Sequence, residues 1–143
     1  VTNISFVAQI VDWNAPLRHE VIKKAHEHKG TSFVRIIQRC PVYVESIGKS
    51  LQDEPARMKL LTHEKGVQVD DMVKKLFPNH AEHDPSDLAA ARALAEDPGV
   101  LPLGILYHNP DAPQYDVMTS VGIDMTIDDR LAGMNEALDH FAL

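Results

Sequence analysis

Residues 6–37 read FVAQIVDWNAPLRHEVIKKAHEHKGTSFVRII and contain two apolar runs separated by a helical pattern. The runs, Phe6 to Val11 and Phe33 to Ile37, are rich in β-branched and aromatic residues, which is typical of buried strands. Between them Asn14 can cap a helix, and Pro16 is tolerated in its first turn. A strand, a helix and a strand in about 35 residues form a βαβ unit, so we expect the two strands to be parallel.

The helix of this unit is expected to bury one face, because its apolar residues recur at helical spacing. They are Leu17, Val21, Ile22 and Ala25. Lys29 and Gly30 predict the end of the helix, since a cation suits the last turn and glycine accepts the left-handed conformation.

Beyond residue 41 the pattern weakens, and residues 42–66 are expected to form a long loop with one possible strand at 58–62. Apolar residues at helical spacing then predict a short amphipathic helix that stops before Pro78. They are Val69, Met72, Val73, Leu76 and Phe77.

The last third of the chain predicts two helices and a strand. A helix is expected to begin at Asp84 as its capping residue and to run to Glu96. Residues 103–107 predict a third buried strand. The final helix has apolar residues at alternating four- and three-residue spacing, which indicates that it seeks a partner surface. They are Ile127, Leu131, Met134, Leu138 and Phe141.

Length and composition place the chain among globular proteins. Its 143 residues include 44% hydrophobic and 24% charged residues, and its net charge is −7. An acidic chain lacks the basic face that nucleic-acid binding needs. No stretch is apolar enough to span a bilayer, so we expect neither a nucleic-acid nor a membrane partner. With no targeting segment and one cysteine, the expected compartment is cytoplasmic. Because Val1 directly precedes a strand pattern, we expect the C-terminal part of a longer polypeptide.

Cys40 is the only cysteine, and with Pro41 it follows the second strand of the βαβ unit. Ligand crevices of open α/β sheets lie at the carboxyl ends of strands. A single thiol there can be a buried structural residue, a catalytic group, or one ligand of a metal or cluster whose other ligands come from elsewhere. Its position at a strand end favours the last two. Arg39 is expected to point to the opposite side of the extended chain.

The histidines offer a weaker metal hypothesis. His80 and His83, with Glu82 and Asp84 nearby, could supply ligands from one turn. The preferred interpretation is that residues 79–84 form a polar linker with solvated histidines.

Other candidate groups are interpreted as structural. His26 and His28 are two residues apart, cannot share a helix face, and are predicted to lie at the surface. Trp13 and Tyr43 could stack on a ring, but single aromatic residues beside strand ends more often pack. Glycine-rich phosphate loops and the serine nucleophile elbow are absent from the sequence.

Several phrases of the sequence resemble one enzyme family. They are HKGTSFVRIIQRCP at residues 28–41, HDPSDLAAA at 83–91, LPLGILY at 101–107 and PQY at 113–115. Their order and spacing resemble the thiamine-diphosphate subunit of the 2-oxoacid:ferredoxin oxidoreductases, most closely the 2-oxoglutarate branch. The likeness covers residues 1 to about 117. It implies an α/β fold, the C-terminal portion of a thiamine-diphosphate-binding fold, with a parallel sheet flanked by helices. Residues 118–143 would then be a C-terminal tail and helix.

The resemblance implies that the enzyme decarboxylates a 2-oxoacid, forms an acyl-CoA and passes electrons to ferredoxin, in a reaction that can also run backwards. It implies Cys40 as one of four ligands of a 4Fe-4S cluster. Thiamine diphosphate and Mg²⁺ would be held mainly by residues outside this segment. The implied partners are the N-terminal part of the β subunit, the α subunit, ferredoxin, CoA and the 2-oxoacid.

Departures from the family pattern restrict this expectation. The Gly-Asp-Gly phrase that holds magnesium is absent, as are three further cluster cysteines, and Val42-Tyr43-Val44-Glu45 replaces the usual phrase after the cysteine. We therefore expect this piece alone to be inactive. The alternatives are a sister enzyme for pyruvate or branched 2-oxoacids and a non-catalytic α/β interaction module.

Overall fold

The computed structural model describes residues 4–39, 42, 51–64, 67, 71–114, 117, 119 and 126–141. The chain consists of two compact units, Val1–Pro113 and Gln114–Leu143. The boundary expected after residue 117 stays a prediction.

The first unit alternates strands and helices. In chain order its elements are β1 (Ile4–Val11), α1 (Ala15–Glu27), β2 (Thr31–Ile37), a 3-10 turn (Pro55–Arg57), β3 (Met58–Thr62), α2 (Asp71–Leu76), β4 (Asn79–Glu82), α3 (Leu88–Glu96) and β5 (Leu101–His108). The second unit contains α4 (Ile127–Phe141).

The five strands form one sheet in the order β2-β1-β5-β3-β4. Strands β1 and β2 are parallel, with Ile10 opposite Ile36, which confirms the predicted βαβ unit. Strand β3 is parallel to both β4 and β5. Among the strands that the structure describes, only β1 and β5 pair in an antiparallel direction. The predicted α/β class with a mostly parallel sheet and flanking helices is confirmed, and one antiparallel pair joins its two parallel halves.

The core lies along β1, β3 and β5 and beneath α1. Its largest side chains with almost no exposure are Phe6, Ile10, Leu60, Leu103, Val11 and Val21. Burying one such side chain contributes about 1.5–3 kcal/mol, so these residues account for much of the driving force for folding.

The antiparallel β1–β5 pair depends on Gly104 and Gln9, which lie opposite one another. Gly104 has a φ of +121°, which side-chain-bearing residues rarely adopt, and a Cβ there would lie 3.1 Å from the Leu61 carbonyl oxygen. The buried Gln9 Nε2 donates a 2.8 Å hydrogen bond to the Pro102 carbonyl oxygen. The Gln9 side-chain amide thus gives the Pro102 carbonyl a hydrogen-bond partner, two residues before Gly104, where the pairing of β5 with β1 stops.

Helix α1 begins as the sequence predicts, since the Asn14 side chain accepts a 3.0 Å hydrogen bond from the Leu17 backbone N–H. Leu17 and Val21 are buried, but Ile22 is 44% exposed, so its predicted burial is wrong. The predicted left-handed glycine at the helix end is also wrong, because the only glycine with positive φ in the described residues is Gly104.

Strand β2 is present where the sequence predicts it, but it is not buried. Phe33 is 51% exposed and Ile36 is 44% exposed. The reason is position, because β2 is the edge strand of the sheet and pairs with β1 alone. A run of β-branched residues predicts that a strand forms, whereas the burial of that strand depends on which other strands lie beside it.

The possible strand at 58–62 is confirmed as β3, with Leu60 fully buried. The helix expected before Pro78 is confirmed as α2. Val73 and Phe77 are buried, whereas Met72 and Leu76 are 71% and 63% exposed.

Two predictions between α2 and α3 are wrong. Residues 79–84 are not a linker, because β4 (Asn79–Glu82) pairs with β3 in parallel. Helix α3 begins at Leu88 rather than beside Asp84, and its cap is Asp87, whose side chain accepts from the Ala89 and Ala90 N–H groups at 2.8 and 3.0 Å. The Asp84 carboxylate instead closes a local turn by accepting from Ser86.

The predicted strand over 103–107 is confirmed as β5, and the predicted final helix is confirmed as α4. Among the described residues, no helix has the length and apolar character needed to cross a membrane.

A histidine pair joins the end of α1 to the sheet. Ser5 Oγ and His28 Nε2 are hydrogen-bonded at 2.7 Å. The His28 and His108 ring centroids lie 5.0 Å apart, and both rings contact Phe6. A Cβ on Gly30 would overlap Ser5 Oγ and come within 2.6 Å of His28 Nε2. Glycine is therefore needed at position 30 for close approach.

We expect Gly30→Ala to destabilise the first unit by about 1–3 kcal/mol, because the added methyl must displace the Ser5–His28 pair. Chemical denaturation followed by Trp13 fluorescence measures this effect. Gly133→Ala is the matched control, since nothing lies within 4 Å of its added Cβ and it belongs to the second unit. Equal midpoints for the two variants would contradict the steric explanation.

The stability of the first unit should rise with pH through about pH 6.5, the ordinary value for histidine. Burial lowers the pKa of His28, and burial together with His28 and Lys24 lowers the pKa of His108. Below pH 6.5 the unfolded chain therefore binds protons that the folded chain does not, and stability falls until the folded pKa is reached.

Denaturation midpoints between about pH 5 and about pH 8 measure this dependence. The His28→Gln/His108→Gln variant should show a smaller slope. His26→Gln, which changes an exposed residue of the same helix end, should keep the original slope. A wild-type midpoint that does not change over this range would refute the assignment.

Candidate functional site at the carboxyl end of strand β1

The turn that follows β1 is fixed by backbone and side-chain hydrogen bonds. The Asp12 N–H donates to the Ile37 carbonyl at 3.0 Å, which ties the ends of β1 and β2 together. Arg18 Nη1 donates to the Asp12 carbonyl at 2.7 Å, so α1 also holds this turn. The ends of the two parallel strands therefore form one rigid edge.

Arg39 is bound to this edge through Asp12. Its backbone N–H donates to Asp12 Oδ2 at 3.3 Å and its Nε donates to Oδ1 at 3.2 Å. The guanidinium carbon also lies 5.7 Å from the Trp13 ring centroid. An exposed ion pair contributes little stability, but two hydrogen bonds to one carboxylate fix a direction. Arg39 is thus directed to Asp12 and Trp13, and its neighbour in sequence is Cys40.

A cavity of about 520 Å³ lies beside this turn. Its lining residues are Trp13, Asn14, Pro16, Gln52, Pro55, Met58, Met72, Val73, Leu76 and Phe77. The lining is mostly apolar, and the Asn14 Oδ1 is already engaged by the helix cap. Such a surface suits an apolar or flat group, and none of the described lining residues is an acid, a base or a nucleophile.

Trp13 is part of this lining and packs against the core, which agrees with the packing interpretation. Tyr43 lies outside the described residues.

Cys40, the cysteine favoured by the sequence as a cluster ligand, also lies outside the described residues, and its role stays a prediction. Across the part of the chain that the structure describes, no group of three or more histidine, cysteine or acidic side chains could hold a metal ion. The whole sequence offers one thiolate. A 4Fe-4S cluster takes four such ligands, so the donor set fits one corner of a cluster and no more.

The residues considered for a metal site around His80 have other roles. His80 is exposed on β4. His83 is 7% exposed, and its Nε2 donates to the Leu106 carbonyl at 2.7 Å, so its predicted solvation is wrong. Hydrogen bonds from the Ser86 backbone and side chain lower the pKa of Asp84, which lies 3.9 Å from His63 Nε2. These groups do not converge on one point.

The sequence interpretation missed the pair of His28 and Ser5. His26 is exposed as predicted, whereas His28 is half-buried and bonded to Ser5. This pair lies at the start of β1, the opposite end from the cavity. The signal in the sequence is Gly30, whose small size the close approach requires.

Comparison with known families gives one finding. Residues 70–121 match the family model for the C-terminal part of the beta subunit of pyruvate ferredoxin oxidoreductase. The matched segment, more than a third of the chain, contains α2, β4, α3 and β5. No curated protein sequence matches the chain. The match supports a β subunit of a 2-oxoacid:ferredoxin oxidoreductase, as the sequence phrases suggested, and it does not distinguish the 2-oxoglutarate branch.

Proposed function

We propose that this chain is part of the β subunit of a 2-oxoglutarate:ferredoxin oxidoreductase, which converts a 2-oxoacid and CoA to an acyl-CoA with electron transfer to ferredoxin. The observation that carries the enzyme class is the family match over residues 70–121. The phrase at 28–41, which ends in Cys40-Pro41, supports the same class from a separate part of the chain. The 2-oxoglutarate preference rests on sequence resemblance alone.

Thiamine diphosphate would supply the decarboxylation chemistry and iron–sulfur clusters would carry the electrons. The role of this chain is positional. The hydrogen bonds between Asp12 and Arg39 support this role, because Arg39 directly precedes Cys40 in the sequence. We propose Cys40 as one ligand of the 4Fe-4S cluster. Thiamine diphosphate and Mg²⁺ would be held mainly by other segments of the subunit.

The proposed assembly contains the N-terminal part of the β subunit, the α subunit and ferredoxin, and operates in the cytoplasm. Its substrates are CoA and the 2-oxoacid. Turnover of the purified complex with 2-oxoglutarate, pyruvate and branched 2-oxoacids separates the proposed enzyme from its sister enzymes.

Cys40→Ser in the intact enzyme should lower iron content and ferredoxin reduction, because a serine hydroxyl replaces a thiolate ligand. Iron per subunit and the visible absorbance of the clusters measure the effect. Gln38→Ser is the control, since it changes an exposed residue two positions away. Iron content equal to wild type in the Cys40→Ser enzyme would refute the ligand role, and a colourless, iron-free wild-type complex would favour an interaction module.

Asp12→Asn should partially lower the rate of ferredoxin reduction while leaving the free energy of unfolding within about 1 kcal/mol of wild type. The reason is that the substitution removes the charge that directs Arg39, an exposed contact of small energetic value. Asp71→Asn, which breaks the exposed Asp71–Lys74 ion pair, is the control and should keep full activity. Identical electron-transfer rates for the two variants would show that the contact does not position this segment.

A further inference from the structure

A short segment after β5 is bonded to the start of β1. We call residues 109–112 the exit segment, because the first unit ends one residue later, at Pro113. The Asn109 N–H donates to the Ser5 carbonyl at 2.7 Å, and the Ala112 N–H donates to the Asn109 carbonyl at 3.4 Å. Because the segment lies beyond the last residue of β5, it can open locally while the sheet stays folded.

The two packed histidines lie where the exit segment meets the sheet. His28 Nε2 and Ser5 Oγ are hydrogen-bonded at 2.7 Å, and the backbone of the same serine holds Asn109. His108 directly precedes the segment, and its ring centroid lies 5.0 Å from that of His28. Both rings contact Phe6, which has no exposed surface. One histidine is thus bonded to Ser5 and the other is the neighbour of Asn109, so the packing of the two rings supports the bond between these residues.

The surroundings of the two rings favour their neutral forms. Burial, followed by the charges of His28 and Lys24, lowers the pKa of His108, and burial lowers the pKa of His28. Strand β1 presents a hydroxyl and a phenyl ring to the pair, both uncharged. The charged residues next in sequence, Lys29 and Asp111, are exposed. No carboxylate of the described residues offsets a positive charge on either ring, so two imidazolium groups packed this closely would repel each other.

We propose that His28 and His108 form a pH-sensitive latch: the neutral pair holds the exit segment on the start of β1, and proton uptake by the pair releases that segment. In the open form the rings are hydrated and separated, so they bind protons near the ordinary histidine pKa of about 6.5. Between this value and the lower pKa of the closed pair, the open form binds more protons, and acid therefore favours it. The chain runs on from the exit segment into the second unit, so the part released is the link to that unit.

Amide hydrogen exchange of the full-length protein, measured at about pH 7.5 and about pH 5.5, tests the latch. Rates are corrected for the intrinsic pH dependence of exchange, and the Asn109 N–H is the reporter because it donates to Ser5. Its protection should fall at the lower pH by up to about tenfold for each histidine that gains its proton only in the open form. The amides of β3, which lies between β5 and β4 inside the sheet, should keep their protection.

Two variants assign the effect to the pair. His28→Gln/His108→Gln removes both titrating rings and should make the protection of the Asn109 N–H independent of pH. His26→Gln is the matched control, because it changes an exposed histidine at the same helix end, and it should keep the wild-type fall.

Three results would overturn the latch. In the first, the Asn109 N–H of the wild type keeps its protection at the lower pH. In the second, the β3 amides lose protection to the same extent, so that the whole unit opens and no separate latch exists. In the third, the double variant shows the wild-type fall, so that other groups take up the protons. The first two results come from the wild type alone and test the latch even where the double variant does not fold. None of these measurements depends on the proposed enzyme activity.

Discussion

The antiparallel contact between β1 and β5 is the constraint on which the rest of the first unit depends. It joins a pair of parallel strands to a group of three, with Gly104 at positive φ and a buried Gln9 side chain that donates to the Pro102 carbonyl of β5. Because the strands of the two halves run in opposite directions, the carboxyl ends of β1 and β2 lie at one end of the sheet and those of β3, β4 and β5 lie at the other end. The cavity beside Trp13 is at the edge where β1 ends. The Ser5–His28–His108 cluster is at the other edge, where β5 ends.

Local pattern predicted the elements of this fold well and their surroundings poorly. The βαβ unit follows from Asn14 and from the two apolar runs, which are neighbours in sequence. The exposure of Phe33 does not, because it depends on β2 lying at the edge, a fact set by β5 much later in the chain. The polar stretch at 79–82 becomes β4 for the same reason, since pairing with the buried β3 overrides its weak propensity.

In the candidate site too, features set by neighbouring residues could be predicted from the sequence and features set by distant contacts could not. Position at a strand end was predicted for Cys40 from neighbouring residues, and it stays a prediction, because the described part of this segment ends at Arg39, which contacts Asp12. The link between Ser5 and His28 spans 23 residues and so leaves no local pattern. Only Gly30 hinted at it, and its role is steric close approach rather than the helix-ending conformation that glycine usually serves.

Both units carry apolar side chains at exposed positions. On the first unit Phe33 and Ile36 project from an edge strand, a position that natural proteins usually protect with charges or cover with another element. On the second unit the large apolar residues of α4 are exposed along the helix. Phe33 and Ile36 lie on opposite faces of β2, because successive side chains of a strand alternate between the two faces of a sheet. Arg35 shares the Phe33 face, where its Nη1 donates to Gln9 Oε1 at 3.3 Å, so this edge carries a cation, one of the features that protect edge strands from pairing with other chains.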